Sequence, residues 1–451
     1  MTEKTPLYNR LIEHNKLNRA SFHTPGHKCG GFFDGGIISL DYTELPDTDA
    51  LYEANDVILK TEIRAAELFG AERSLISAGG CSLAIQAMLK IASERGGKLL
   101  CARNAHRSAV NAIALLGIEP VWISPDRENG FTGRISPKKV EEILSADRDM
   151  KACYITSPSY YGEISDIPAI SEICHKHDVM LLVDNAHGSH LAFMKDNMHP
   201  ISNGADMSAC SLHKTLPVLT GGALLNIANP ELSENAKDAM ALFGSTSPSY
   251  IIMSSIDLCV DYMSGEGKKA YAECEKKVKV LKYLAESRGI RQPKGLCDPL
   301  RITLNTASVG LAGEEQEKYF EGHGIDCEFC DGENAVFICT PFNSDEDFER
   351  LERAIKEIPL GKCINSKGVF TEAPIRKLSV REAMLSVSET VSTEESVGRI
   401  AATTACPCPP GIPLIMPGEI ISGKIAEMLQ ESGINEVKVI KLVIDKTGSF
   451  T

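Results

Sequence analysis

The sequence predicts an α/β fold: a mostly parallel, seven-stranded sheet with helices on both faces, followed by a smaller α+β C-terminal domain. Three observations predict it. Between about residues 70 and 230, apolar runs of strand length alternate with stretches of helical periodicity. Those runs are continuously apolar rather than alternating, as strands buried on both faces require. After about residue 290 the order of strand-like and helix-like segments changes, so a second core begins there.

The seven runs are SLISA (74–78), KLLCA (98–102), EPVWIS (119–124), ACYIT (152–156), VMLLVD (179–184), MSACS (207–211) and GALLNI (222–227). Between them, SLAIQAMLKIASE, HRSAVNAIALLG and IPAISEICHKH repeat apolar residues at helical spacing, and the connections are short, as such units require. Residues 230–290 read as helices, with AYAECEKKVKVLKYLAESRG the longest amphipathic stretch. In the second domain DPLRITLNT, GIDCEFC and AVFICTPF read as strands, and EEQEKYFEGHG and DEDFERLERAIKEI as helices. The chain of 451 residues therefore divides into an N-terminal segment (1–70), a large domain (71–290), a small α+β domain (291–365) and a C-terminal segment (366–451) that carries a proline-rich turn after a helix.

Composition excludes several classes. A net charge of −14 repels phosphate backbones and anionic lipid heads, so neither nucleic acid nor a membrane surface is the expected partner. No apolar run approaches the ~20 residues that span a bilayer, and the polar start MTEKTPLYNRLIEHNK is not a secretory signal. The 15 cysteines are scattered, which fits reduced thiols in the cytoplasm. Cys327–Cys330 and Cys406–Cys408 are too far apart in sequence, and too poor in histidine, to make a zinc site the expected reading.

The residues that carry chemistry cluster where these strands end, which is where open α/β sheets bind ligands. The first run leads into Gly79-Gly80-Cys81-Ser82 at a helix start, a cup for an anion. The second leads to Asn104 and His106. The histidine can stack on a flat heterocycle, or Asn104 can simply cap the next helix. The fifth ends in Asp184, with His187 and His190 beyond it. A carboxylate after four apolar residues must be paired; a protonated pyridine nitrogen is such a partner, and a metal held with the two histidines is the rival. The sixth leads to Ser211, His213 and Lys214, a lysine placed for desolvation and imine formation, with Ser211 and His213 able to hold phosphate oxygens. An anion cup, a stacking ring, a buried acid and a lysine, in that order, are the partners that pyridoxal 5'-phosphate needs.

These residues sit in motifs that resemble the Orn/Lys/Arg decarboxylases of the aspartate-aminotransferase-like PLP fold type I, group III, in their shorter Gram-positive form. The motifs are His23-Thr24-Pro25-Gly26-His27-Lys28, Asp41-Tyr42-Thr43-Glu44-Leu45-Pro46, RNAHRS (103–108), TSPSYYG (156–162), VDNAHGSH (183–190), SLHKTLPVLTGG (211–222), SPSY (247–250) and PPGIPLIMPGE (409–419). The resemblance implies that Lys214 carries the cofactor as a Schiff base, Asp184 pairs with its pyridinium nitrogen, and His106 stacks on its ring. It sets His187 near the other face or the phenolic oxygen, with Gly80, Cys81, Ser82, Ser211 and His213 around the phosphate. It also implies a homodimer or higher homo-oligomer, with the N-terminal loop near the subunit interface. Four departures stand out: Asn185, Gly221, Cys81 and Cys406-Pro407-Cys408-Pro409 differ from the residues usual at those places.

The expected reaction is decarboxylation of a basic L-amino acid (arginine, lysine or ornithine) to its amine and CO2, with no metal. His187, Lys214 or a nearby acid would protonate Cα. Glu419, Asp41 and Glu44 are the acids considered for the distal cation. An aminotransferase or lyase on the same fold is the alternative, for which Arg301 or Arg376 would hold the substrate carboxylate. A PLP-binding regulatory protein without turnover is the third reading.

Overall fold

The computed structural model describes residues 20–22, 49–128, 131–364, 374–406 and 413–441. The seven apolar runs form one sheet: β1 (Arg73–Ser77), β2 (Lys98–Ala102), β3 (Glu119–Ile123), β4 (Met150–Thr156), β5 (Met180–Asp184), β6 (Met207–Cys210) and β7 (Ala223–Ile227). Their spatial order is β1-β7-β6-β5-β4-β2-β3. Only β7 runs antiparallel to its neighbours. The connection between β6 and β7 goes with this: a parallel return normally runs through a full helix, and this link holds only one helical turn, α6 (Leu212–Thr215), and a loop.

Side chains alternate between two cores, as the period of a strand dictates. On β2, Leu99 and Cys101 join a cluster with Leu75, Tyr154, Leu182 and Leu225, whereas Leu100 and Ala102 join Cys153, Ile155, Leu181 and Val183 on the other face. Each such side chain, fully buried, contributes ~1.5–3 kcal/mol relative to exposure. Helices α2 (Gly80–Ser93), α3 (Arg107–Leu116), α4 (Pro137–Ala146) and α5 (Ile167–Lys176) cover the faces, and α1 (Val57–Phe69) packs against β1. After β7 come α7 (Ala236–Phe243), α8 (Tyr250–Ser264) and the 21-residue α9 (Gly267–Ser287).

The small domain is an antiparallel sheet in the order β8 (Arg301–Asn305), β10 (Asn334–Ile338), β9 (Phe329–Cys330), with α10 (Glu314–Gly322) and α11 (Asp345–Glu357). GIDCEFC does not form one strand. Its first part, Ile325–Asp326, pairs in parallel with Ala20–Ser21, and its second part is β9. Phe22 accounts for the split: its backbone bonds both Asp326 O (3.2 Å) and Ile338 N (2.8 Å), and its ring meets Phe337 and Phe348 edge-on. The hydrophobic core here is continuous with that of the large domain, running from Ile76 and Leu224 through Tyr271 and Leu281 of α9 to Phe337 and Leu351.

The C-terminal segment builds its own core from Ile415, Ile421, Ile425, Leu429, Val437 and Val439. It holds α12 (Val380–Leu385), β11 (Ser388–Ser392), α13 (Gly423–Glu431) and β12 (Glu436–Ile440), with β11 and β12 antiparallel. Arg381 on α12 donates to Leu115 O at the end of α3 (2.6 Å). Among the described residues no helix is long and apolar enough to cross a membrane.

Beside β6, His199 is fully buried, its Nε2 3.2 Å from Cys210 Sγ and its ring 5.2 Å from Phe69. Burial, reinforced by nearby His190, pushes its pKa down from 6.5 to about 3. The unfolded chain therefore takes up this proton near pH 6.5 and the folded chain only near pH 3, so the stability it contributes is complete above 6.5 and is lost as pH falls between those values. The melting temperature is expected to fall from pH 7 to pH 5, with His199 contributing up to about 1.4 kcal/mol per pH unit. His199→Gln is expected to flatten that slope; an unchanged slope would remove His199 as a source.

Candidate active site

The C-terminal ends of five parallel strands open on one cavity of about 190 Å3. All nine residues expected to hold the cofactor line it: Gly80, Cys81 and Ser82 after β1, His106 after β2, Asp184 ending β5 with His187 beyond, and Ser211, His213 and Lys214 after β6. Ile85, Asn104, Thr156, Tyr160 and Ala186 complete the lining. Parallel strands carry all their C-terminal loops to one edge, which is why residues far apart in sequence meet here.

Lys214 lies on α6, its Nζ 2.8 Å from His187 Nε2 and 5.8 Å from the centre of the Tyr160 ring. Burial lowers its pKa, against the opposing charges of Glu328 and Asp184, so its amine is more readily available as a nucleophile. His187 is held well below the usual imidazole range, first by burial and then by the charges of Lys214 and Arg301. Its ring also packs against Tyr160 at 4.7 Å.

Asp184 is 2% exposed. Its Oδ2 accepts from the Tyr154 hydroxyl on β4 (3.1 Å) and its Oδ1 from Ala186 N (3.1 Å). An ionised carboxylate has about four acceptor sites, so Asp184 retains capacity toward the cavity it lines. His106 corrects one expectation: the cap of α3 is not Asn104 but the His106 ring, whose Nδ1 accepts from Ser108 N (3.2 Å). That bond fixes the ring at the cavity wall, and burial lowers its pKa.

The start of α2 has no side-chain cap. Gly80 has φ +73° with open space where a Cβ would stand, and its N–H donates to Gly221 O (2.8 Å). Gly221 itself has φ +99°, which explains a glycine at that departure from the family pattern. Ser211 Oγ lies 3.2 Å from His213 Nδ1. Two buried lining atoms, Thr156 Oγ1 and Asn104 Oδ1, make no hydrogen bond among the described residues. The donor and acceptor set fits pyridoxal phosphate: an uncapped helix start for the phosphate, a buried carboxylate for the ring nitrogen, orphaned polar atoms for the ring edge and an amine for the carbonyl carbon.

Residues 5–289 match the family described as Orn/Lys/Arg decarboxylase, major domain, and residues 367–432 match Orn/Lys/Arg decarboxylase, C-terminal domain. The chain belongs to the Orn/Lys/Arg decarboxylase family. The arginine decarboxylase of Bacillus subtilis (strain 168) is 30% identical to it over 454 residues, covering 93% of this chain and 91% of the relative. Lysine decarboxylase A from Pseudomonas aeruginosa superposes with a TM-score of 0.77 at 19% identity, over 97% of this chain and 80% of that one. A structure described as SPT with PLP shares the fold more distantly, with a TM-score of 0.58 at 13% identity, over 79% of this chain and 99% of that one. The fold is thus PLP fold type I, and the chain is a PLP-dependent decarboxylase acting on a basic amino acid.

Several residues of this decarboxylase lie elsewhere than the sequence suggested. Arg301 is not open to a substrate carboxylate: its side chain is 1% exposed and its guanidinium donates to Tyr160 O (2.9 Å), His187 O (3.3 Å) and His187 Nδ1 (3.3 Å). Arg376 donates to Pro120 O (2.8 Å) at the start of β3, the opposite end of the sheet. Both arginines offered for aminotransferase chemistry are therefore engaged elsewhere. Glu419 is bound by Arg103 through two hydrogen bonds (2.6 and 2.8 Å) and accepts from Met416 N, so it does not await a substrate cation. Residues 23–28, Asp41, Glu44 and Cys408 lie outside the described residues.

The rival metal set does not converge. His190 Nε2 is 2.8 Å from Asp298 while His187 faces Lys214, and among the described residues no group of three or more His, Cys, Asp or Glu is placed to hold a metal. Asn185 is fully buried; its amide donates to Ser157 O (2.7 Å) and accepts from Cys210 Sγ (3.6 Å), a double role a carboxylate cannot fill. Tyr160 stood inside a quoted motif but acquired a role only by packing on His187. Glu328 carried no sequence signal; it acts on Lys214 across more than a hundred residues of chain.

Because Arg103 and Glu419 tie the loop between β2 and α3 to the C-terminal segment, Glu419→Gln is expected to destabilise the protein by about 3–5 kcal/mol. Denaturant unfolding would measure it. If Glu419 instead bound the substrate's distal cation, the variant would unfold like wild type and show a raised KM.

Proposed function

We propose that this decarboxylase acts on L-arginine, breaking the Cα–carboxylate bond and placing a proton at Cα. The observation that carries this reading is the similarity to curated Bacillus arginine decarboxylases over most of the chain, and beside it stands the charge environment of Lys214. Two carboxylates act on it, Glu328 and Asp184. Asp184 would hold the cofactor's ring nitrogen, and Glu328 is assigned to the substrate's distal cation. Glu328 immediately precedes β9, whose Phe329 ring lies 5.9 Å from Tyr160, which in turn packs on His187. A planar guanidinium can meet a carboxylate through two parallel hydrogen bonds, which an ammonium cannot. The curated Bacillus relatives named as arginine decarboxylases support the same choice.

When bound, the cofactor supplies an electron sink for the pair left at Cα as CO2 departs. This chain's residues would do the rest. Lys214 would carry the cofactor, and Cys81, Ser82, Ser211 and His213 with the start of α2 would hold its phosphate. Asp184 would keep the ring nitrogen protonated, and His106 and His187 would flank the ring. The buried, largely apolar walls, including Ile85 and Ala186, would exclude water and favour loss of a charged carboxylate. His187 and Lys214, in contact through Nε2 and Nζ, would hold the proton destined for Cα. The enzyme would act as a homodimer or higher homo-oligomer.

Borohydride reduction and peptide mass spectrometry are expected to find the cofactor on Lys214, and Lys214→Ala to lose both the adduct and CO2 release. Among arginine, lysine and ornithine, arginine is expected to have the highest kcat/KM; a preference for lysine or ornithine would overturn the substrate assignment. Glu328→Gln is expected to raise KM for arginine about 10- to 100-fold while the bound cofactor persists. Sedimentation velocity is expected to give at least twice the chain mass.

A further inference from the structure

We propose that Arg301 is a positioning residue that fixes the His187 ring with its proton on Nε2, directed at Lys214. The proposal rests on reading Lys214 as the cofactor's lysine.

The geometry follows from counting donors. Arg301 begins β8 in the small domain, and its side chain is buried at 1% exposure. A guanidinium carries only donors and does not lose its proton in a protein. One of its Nη atoms lies 3.3 Å from His187 Nδ1, so Nδ1 must be the acceptor. A neutral imidazole then keeps its one proton on Nε2, the atom 2.8 Å from Lys214 Nζ. That contact needs one donor and one acceptor. With Nε2–H as the donor, Lys214 must present a lone pair, the form in which an amine is a nucleophile. A protonated Lys214 in the same place would force the ring's proton onto Nδ1, against Arg301.

Arg301 is itself held in place from three sides. It donates to Tyr160 O and His187 O, which bracket the site, and Asp298 stands 3.7 Å away. Asp298 is in turn hydrogen-bonded to His190 (2.8 Å). Burial would raise the Asp298 pKa, but His190 and Arg301 hold it well below the usual carboxylate range. The charged forms of Asp298 and Arg301 therefore support each other in a volume closed to water. The chain of contacts runs His190–Asp298–Arg301–His187–Lys214 and joins the small domain to the reacting amine. Neither Arg301 nor Asp298 lines the cavity; the chain of contacts meets it only through His187 and Lys214.

The test is the histidine tautomer, read by nitrogen NMR on full-length, cofactor-loaded protein with 15N-labelled histidine. The His187 signals are assigned by their loss in His187→Gln. In the unaltered enzyme Nε2 is expected to be protonated and Nδ1 bare; a proton on Nδ1 overturns the proposal, and this measurement needs no Arg301 variant. In Arg301→Met the population with the proton on Nδ1 is expected to rise several-fold, whereas Arg301→Lys, which keeps a cationic donor, is expected to retain the original tautomer and the fold. The losses in kcat/KM caused by Arg301→Met and His187→Gln are expected not to multiply, because Arg301 acts through His187; losses that multiply fully would also overturn it. Failure of the Lys214 assignment would be seen separately, as cofactor bound without the Lys214 adduct and with the tautomer intact.

Discussion

Two basic groups, the Lys214 amine and the His187 imidazole, meet at 2.8 Å in a buried cavity, and the site around them is organised by the need to make that contact tolerable. Both cannot be charged there: a second cation would have to be buried beside the first without water. Burial holds both pKa values down, while Asp184 and Glu328 supply the opposing charge at Lys214. Each of these groups is delivered by a different element: Lys214 by the turn after β6, His187 by the loop after β5, Asp184 by β5 itself and Glu328 by the chain before β9. The sheet order places β5 beside β6, so the pair is formed by strand adjacency and not by proximity in sequence.

The small domain is part of the same device. Its core is continuous with that of the large domain through α9, so Arg301 meets His187 from a rigid base. Phe22 ties the early chain into the same domain by bonding on both sides, to Asp326 and Ile338. The C-terminal segment has its own core, and it holds the β2–α3 loop, and with it His106, through the Arg103–Glu419 pair. Three separately built regions thus converge on the loops at one edge of one sheet, a placement a parallel sheet allows because all its strands point the same way.

Much of this could be read from the amino acids. Seven continuous apolar runs became the seven strands of one sheet, with bounds shifted by a residue or two. The antiparallel course of β7 was not read from the sequence; it goes with a link between β6 and β7 that holds one helical turn and no crossover helix. GIDCEFC misled because its two halves pair with different partners. Asn104 is a good capping residue by type, yet the His106 ring took that place. Glu419 had the right charge for a substrate cation and the wrong neighbour, Arg103. Such errors arise where local chemistry permits two partners and only packing selects one.

By itself the sequence determined the sheet and the residues that meet at one edge of it: the Gly80–Ser82 turn, His106, Asp184 and Lys214. Those features are local: a strand's period, a helix start, a residue's position at a strand end. The tertiary structure decided which charges face which. Arg301 against His187, Glu328 near Lys214, Arg103 on Glu419 and His190 on Asp298 are all contacts between distant segments. Electrostatic partnership depends on distance and burial, and neither is written in the order of residues along a chain.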